Sequence, residues 1–322
     1  MKFCEIVAAA RQYQASDIHL SAGAPVIFRV DGELLAYSEA LLSARDTAEF
    51  AEELGLGSLK SERDVAFEDG AGRCRVHGYL RQGSVALAVR LIPLNVKSIE
   101  QLGLPNMVAR MAELERGLVI ITGPTGSGKS TTLAALVDRI NASRAVHIVT
   151  LEDPVEYRIS NRKALVSQRE VGTDTESFER GLRAALREDP DVIMVGELRD
   201  RETMEMALNA AETGHLVLAT LHTADTMGAV NRILDACADE EQLVRSQLAG
   251  CLQGIVAQQL LPRLGGGRVA ACEVLAATPA LRNLIREGKV YQIPTYLQTG
   301  QQYGMQSMEV AILRLRRDGY IK

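Results

Sequence analysis

GPTGSGKS, residues 123–130, decides how this chain is read. The pattern is Gly, four residues, Gly, Lys, Ser, the loop that cradles phosphates. The run before it, Gly117 to Thr122 (GLVIIT), has the short, apolar, β-branched character of a buried parallel strand. The run after it, from Ser130 (STTLAALVDRIN), reads as a helix. Glycines let backbone N–H groups turn inward toward a phosphate, and the helix N-terminus adds its positive dipole. Gly123, Pro124, Thr125, Gly126, Ser127, Gly128 and Thr131 are thus candidate nucleotide contacts. Lys129 is expected to reach the β- and γ-phosphates of ATP, and the Ser130 hydroxyl to hold Mg2+.

The 322 residues suggest two domains, each large enough to bury a core. Aromatics are scarce and Trp is absent, so those cores must be aliphatic. A net charge of −5 gives no support for a general nucleic-acid binder. No unbroken apolar run approaches the ~18 residues of a membrane span. The N-terminus lacks the apolar core and cleavage site of a signal peptide. The five cysteines, Cys4, Cys74, Cys237, Cys251 and Cys272, lie far apart with no CxxC pair. Neither zinc nor a disulfide framework is indicated, and an intracellular, reduced protein is expected.

Residues 1–94 read as a small α+β domain. VIFRVDGELLAY, from Val26 to Tyr37, places Asp31-Gly32 between two apolar runs, a hairpin signal. A second hairpin is expected to turn near Gln82-Gly83-Ser84, and Ser43 to Leu59 reads helical. Residues 95–104 are expected to link the domains. From 105 to 322 the pattern becomes strand–helix alternation, the mark of an α/β fold with a parallel sheet. Apolar runs mark four strands: the one before the loop, HIVTLED at 147–153, DVIMVGE at 191–197 and HLVLATLH at 215–222. Beyond residue 228 the chain reads mostly helical, with a break at Gly265-Gly266-Gly267.

Ligands of open α/β sheets sit at the carboxyl ends of the strands. Three of the four strands end in residues with chemical capacity: Glu152 and Asp153 with Glu156 just beyond, Glu197, and His222. A phosphate-loop enzyme needs a carboxylate to support Mg2+, directly or through water, and another to orient the attacking water. Glu197 suits the first task, and the cluster Glu152, Asp153, Glu156 the second. Any one of these carboxylates alone would read as a solvated loop charge. His222 is placed to reach or report a γ-phosphate; His19, His77 and His147 read as structural. Cations opposite the γ-phosphate are also needed. Arg73, Arg75, Arg81 and Arg90 in the N-terminal hairpin, with Arg187 and Arg199, are candidates, against salt bridges on a solvated face as the alternative for each.

GPTGSGKST, LEDPVEY, ALREDPDVIMVGELRD and AAETGHLVLATLHTADT resemble the Walker A, Asp box, Walker B and His box of the type II/IV secretion ATPase superfamily. ALRNLIREGK, from Ala280 to Lys289, and ASDIHLSAGAPVIFRVDGEL resemble its type IV pilus retraction branch, the PilT-like motors. The resemblance implies a PAS-like N-terminal domain, a RecA-like ATPase domain and a homohexameric ring. It implies ATP hydrolysis driving pilus disassembly and twitching motility, cytoplasmic and peripheral to the inner membrane. The implied partner is the inner-membrane platform protein of the pilus, without membrane insertion and without nucleic acid. It casts Glu156 as general base, Glu197 as the Walker B glutamate, and His215 and His222 as the His-box pair, with His215 among the nucleotide contacts. It places Arg75 and Arg90 where N-terminal arginines approach the nucleotide. Pilus-assembly and type II secretion motors carry a tetracysteine module where this chain has LPRLGGGRVAACEV, which favours retraction. An accessory retraction paralogue remains an alternative, as do a nucleotide-dependent switch and a nucleic-acid motor. Arg286 and Lys289, outside every nucleotide motif, are candidates for coupling to the pilus machinery.

Overall fold

In the computed structural model, residues 2–57, 59–69, 72–93 and 95–322 are described. Two units emerge, Met1–Asn95 and Val96–Lys322. Leu94, where the expected boundary falls, and Ser58, inside the expected helix, lie outside the described residues.

The first unit runs α1 (Phe3–Gln12), β1 (Asp17–Ser21), β2 (Ile27–Val30), β3 (Glu33–Ala36), α2 (Ala44–Glu53), β4 (Arg63–Asp69), β5 (Gly72–Arg81) and β6 (Ser84–Leu91). Its strands form one antiparallel sheet in the order β3-β2-β1-β6-β5-β4. Both hairpins turn on two residues of positive φ: Asp31 and Gly32 at 49° and 93°, Gln82 and Gly83 at 51° and 77°. That geometry matches the twist of the flanking strands, which is why the Asp-Gly and Gln-Gly pairs stand there. Helix α1 buries Phe3, Ile6, Val7 and Ala10, one stripe at helical spacing, against Ile18, Leu20, Phe28 and Val76 of the sheet. The helix expected over 43–59 is shorter: Ser43 caps it, accepting from the Asp46 N–H, and it ends at Glu53.

The second unit runs α3 (Asn106–Met111), β7 (Gly117–Thr122), α4 (Lys129–Ser143), β8 (His147–Glu152), β9 (Leu165–Glu170), α5 (Phe178–Ala185) and β10 (Val192–Val195). It continues with α6 (Arg201–Glu212), β11 (Leu216–Leu221), α7 (Thr226–Ala236), α8 (Glu241–Cys251), β12 (Leu252–Pro262), β13 (Arg268–Ala276), α9 (Pro279–Arg286), α10 (Ile293–Thr299) and α11 (Met308–Arg317). The sheet order is β13-β12-β7-β11-β10-β8-β9, parallel throughout except for the antiparallel β12–β13 pair. Every residue of β7 is buried. Leu118 and Ile120 join the core under α5, α6, α7 and α8, whereas Val119 and Ile121 join the core under α3 and α4. A strand covered on both faces reads as a continuous apolar run instead of an alternating one.

The C-terminal third corrects the sequence reading. Two long strands, β12 and β13, stand where helix was expected, and the Gly265-Gly266-Gly267 break is their hairpin turn, each glycine at positive φ. Gly254 to Gln258 of β12 are all buried, so no period-2 alternation marks the strand. Glu273 of β13 is buried and accepts from Thr226 N and Oγ1, at 2.9 and 2.7 Å, and from Met308 N at 3.4 Å. This one carboxylate thereby holds the N-termini of α7 and α11. Among the described residues, no helix is long and apolar enough to cross a membrane.

Candidate active site

The parallel strands β7, β8, β10 and β11 all point their carboxyl ends one way, so their C-terminal loops share one edge of the sheet. The loop from Gly123 to Gly128 leaves β7 and enters α4 through Gly128, which takes a left-handed conformation as its N-cap. Its glycines are required. A Cβ on Gly123 would lie 2.2 Å from the Gln258 carbonyl oxygen, and one on Gly128 would lie 2.8 Å from Gln258 Nε2. Gly126 has open space around it but a φ of 78°, which only glycine takes freely.

Gln258, on β12, is the residue that sequence reading missed. It is 3% exposed. Its Nε2 donates to the Ser127 carbonyl at 2.8 Å, and its Oε1 accepts from the Thr132 hydroxyl at 2.8 Å. One side chain thus ties the loop to the first turn of α4. A lone Gln within an apolar strand gives no motif to find it by. Lys129 is buried and donates to the carbonyls of Gly123 and Pro124, at 2.8 and 3.0 Å. Burial lowers its pKa, and the charges of Glu197 and Glu156 oppose that shift. Both carboxylates therefore lie within electrostatic reach of the lysine.

Glu197 follows β10. Its Oε2 accepts from Arg199 Nε at 2.7 Å and its Oε1 lies 3.3 Å from His222 Nε2. Arg199 continues to Asp153 Oδ2 at 3.2 Å, which joins the end of β8 to the end of β10. The Glu197 carboxylate holds the Arg199 guanidinium above its usual pKa. Thr122, just before the loop, accepts from Thr223 N at 2.9 Å, binding the residue after His222 to the end of β7. Glu156 is exposed beyond β8. Thr131 pairs its hydroxyl with that of Tyr157 at 2.9 Å, so the loop carrying Glu156 rests on α4.

Glu152 differs from these. It is buried, accepting from Thr150 Oγ1 at 2.7 Å and from Gln168 Nε2 at 3.0 Å. Burial pushes its carboxyl above the usual range, and the nearby Glu156 charge adds to the shift. Gln168 also donates to Tyr157 O at 2.8 Å. It sits on β9, an edge strand whose sequence LVSQRE carries no apolar run and gives no strand signal.

One expectation changes, and others gain detail. His215 precedes β11, at its amino end, and its Nδ1 contacts Ala210 O at 3.0 Å. The length of a six-residue strand, about 20 Å, separates it from the phosphate loop. Within this chain it is therefore not brought to the nucleotide loop. Arg75 and Arg90 are cross-strand neighbours in the first unit and already have partners there: Asp64 at 3.5 Å and Asp17 at 3.1 Å. They line a cleft of about 280 Å³ with His19 and His77, which were read as merely structural. His147 does behave structurally, spanning Glu188 O at 3.0 Å and Ser167 Oγ at 2.9 Å.

The phosphate loop suits a nucleotide on its own evidence. The Ser127 hydroxyl is buried without a hydrogen-bond partner, inside a loop where added Cβ atoms would collide with its support. An inward-facing polar atom of this kind needs a ligand to satisfy it.

Two outcomes test this geometry. Gln258→Leu keeps the volume but leaves the Ser127 carbonyl and Thr132 hydroxyl unpaired, at a cost of about 1–3 kcal/mol in folding stability. ATP affinity should fall with it in a fluorescent-nucleotide titration; unchanged affinity would show that the loop does not need this support. The second concerns pH. Burial raises the folded-state pKa of Glu152, so its contribution favours the fold below the ordinary carboxylate value and fades as pH rises through the raised one. Glu152→Gln should melt above the wild type at about pH 8, and the gap should close toward about pH 4. A variant that melts lower at the alkaline end would contradict a penalised carboxylate.

Comparison with known proteins agrees with this arrangement. The family described as "Type II/IV secretion system protein" matches residues 80–268. The type IV pilus retraction ATPase PilT of Pseudomonas aeruginosa is 43% identical over 338 residues, covering 100% of this chain and 96% of that protein. The uncharacterized protein YggR of Escherichia coli is 45% identical over 316 residues, covering 95% of each. The crystal structure of the pilus retraction motor PilT with bound ADP superposes with a TM-score of 0.91 at 44% identity, covering 100% of this chain and 95% of that one. With its phosphate loop, its acidic strand ends and these relatives, this chain belongs to the type II/IV secretion system protein family.

Proposed function

We propose that this chain is the motor of type IV pilus retraction, an ATP-hydrolysing enzyme that works as a homohexamer. The observation that carries the reading is the gathering of carboxylates at the strand ends that share an edge with the phosphate loop, where Glu197 meets His222 at 3.3 Å and Arg199 joins Glu197 to Asp153 at 2.7 and 3.2 Å. A switch that only binds nucleotide has no need of those carboxylates. The identity to PilT over the full chain supports retraction over assembly.

In this reading Gly123 to Thr131 bind the phosphates through backbone N–H groups, and Lys129 leaves the loop carbonyls to meet the β- and γ-phosphates. Ser130 and Glu197 would hold Mg2+, the latter directly or through water, and the ion would neutralise charge developing on the phosphate oxygens. Glu156, exposed beside the lysine, is the general base that orients the attacking water. Glu152 is a positioning residue: it is buried, and its Oε1 is held by both Thr150 and Gln168. His222, in contact with Glu197, carries the state of that carboxylate to the loop after β11. Arg75 and Arg90 exchange their aspartate partners for the nucleotide of a neighbouring subunit in the ring. The motor sits on the cytoplasmic side and acts on the inner-membrane platform protein of the pilus. Arg286 couples to that machinery through α9, whose Leu281, Leu284 and Ile285 face the core. Lys289, already paired with Glu287 at 2.7 Å, does so less directly.

Deletion of the gene tests the reading. Cells should carry long pili that do not retract and should not twitch. Complementation with Glu197→Gln should restore nucleotide binding in extracts but not twitching. Bald cells after deletion would assign the chain to assembly, and full twitching with Glu197→Gln would remove the motor role of this site.

A further inference from the structure

The β12–β13 hairpin tip and the C-terminal segment, both rich in exposed cations, meet on the second unit. Leu264 N donates to Tyr320 O at 2.8 Å, and the Arg263 guanidinium lies 5.2 Å from the Tyr320 ring centre. Arg316 Nε donates to Lys322 O at 2.9 Å, folding the last residues back onto the end of α11. Arg263, Arg268, Arg314, Arg316, Arg317 and Lys322 are all exposed there, against the carboxylates of Glu309 and Asp318. Arg317 pairs with Asp318 at 3.0 Å; among the described residues no carboxylate pairs with Arg263, Arg268 or Arg314. Six cations against two acidic side chains is a local reversal in a chain whose net charge is −5. Leu264, Leu313 and Tyr320 stand exposed among them. Nothing in the nucleotide chemistry uses any of these residues.

We propose that this surface docks on an anionic lipid headgroup layer. Arginine forks match phosphate oxygens in a bidentate way. Leucine and tyrosine side chains interleaved with cations suit the boundary between headgroups and acyl chains. The cations come from two segments, with Gly265, Gly266 and Gly267 between Arg263 and Arg268 offering no side chains. A fluid layer, whose phosphates rearrange, meets such a scatter without the fixed spacing a folded acidic partner would need. Docking of this kind needs no spanning helix, and it stands whether or not the chain drives retraction.

The test is co-sedimentation of the full chain with vesicles of phosphatidylcholine alone or of phosphatidylcholine mixed with phosphatidylglycerol. At about 0.1 M salt the chain should pellet with the anionic vesicles only, and should be released at about 1 M salt. Arg268→Gln with Arg314→Gln removes one cation from each segment. Binding should weaken about fivefold per cation, roughly 25-fold for the pair, with melting temperature and basal ATP turnover unchanged. Equal binding to both vesicle types, or undiminished binding by the double variant, overturns the proposal. So does retention of the wild type but not the variant on a polyglutamate resin without vesicle binding, which would make the surface a site for an acidic protein. A fall in assembled mass of the variant in light scattering would also overturn it, making the surface a subunit contact.

Discussion

A loop that turns most of its N–H groups toward a phosphate has few left to hold its own shape. Lys129 bonds two of its carbonyls from within the motif, and β12 supplies support from outside. The Gln258 amide bonds both the loop and the helix after it, while its backbone carbonyl fills the space where a side chain on Gly123 would stand. The parallel register of β12 with β7, from Leu252 opposite Leu118 to Ala257 opposite Thr122, sets that carbonyl in place. The glycines of the motif are therefore needed twice, once for the turn and once for the closeness of the supporting strand.

From this anchor the other strand ends are linked by short polar contacts. Thr122 holds Thr223, Arg199 holds Glu197 and Asp153 together, and Glu197 meets His222. Movement of one strand-end loop thus disturbs the hydrogen bonds of the next. Glu273 extends the chain of contacts, since it holds the N-terminus of α7, just after the His222 loop, and that of α11. A change at the phosphate loop has a continuous polar and packed route to the C-terminal helix, the kind of connected network through which coupling can travel.

Much of this was legible in the sequence because the decisive signals are local. The phosphate loop, the four apolar strands and the Asp31-Gly32 and Gln82-Gly83 turns each declare themselves within a few residues. Glu156, Glu197 and His222 could be placed because parallel strands all end on one edge. What was not legible depends on partners far along the chain. Gln258 acts on residues more than a hundred positions away. The strand that carries it looks helical or strand-like equally well, since both its faces are buried. Edge strand β9 escaped because half-exposed Gln168 and Ser167 carry no apolar period. His215 shares a motif with His222, yet a strand runs between them, so likeness of wording misjudged their places in space.

The central claim is that Lys129 supplies charge to a hydrolytic transition state at this edge of the sheet. Steady-state phosphate release by purified Lys129→Ala, beside the wild type with saturating ATP and Mg2+, tests it most directly. A lysine in that role is worth a factor of about 10² or more in rate, so turnover should fall to near background while the variant remains folded by circular dichroism. Phosphate release within a few-fold of the wild type would contradict the account.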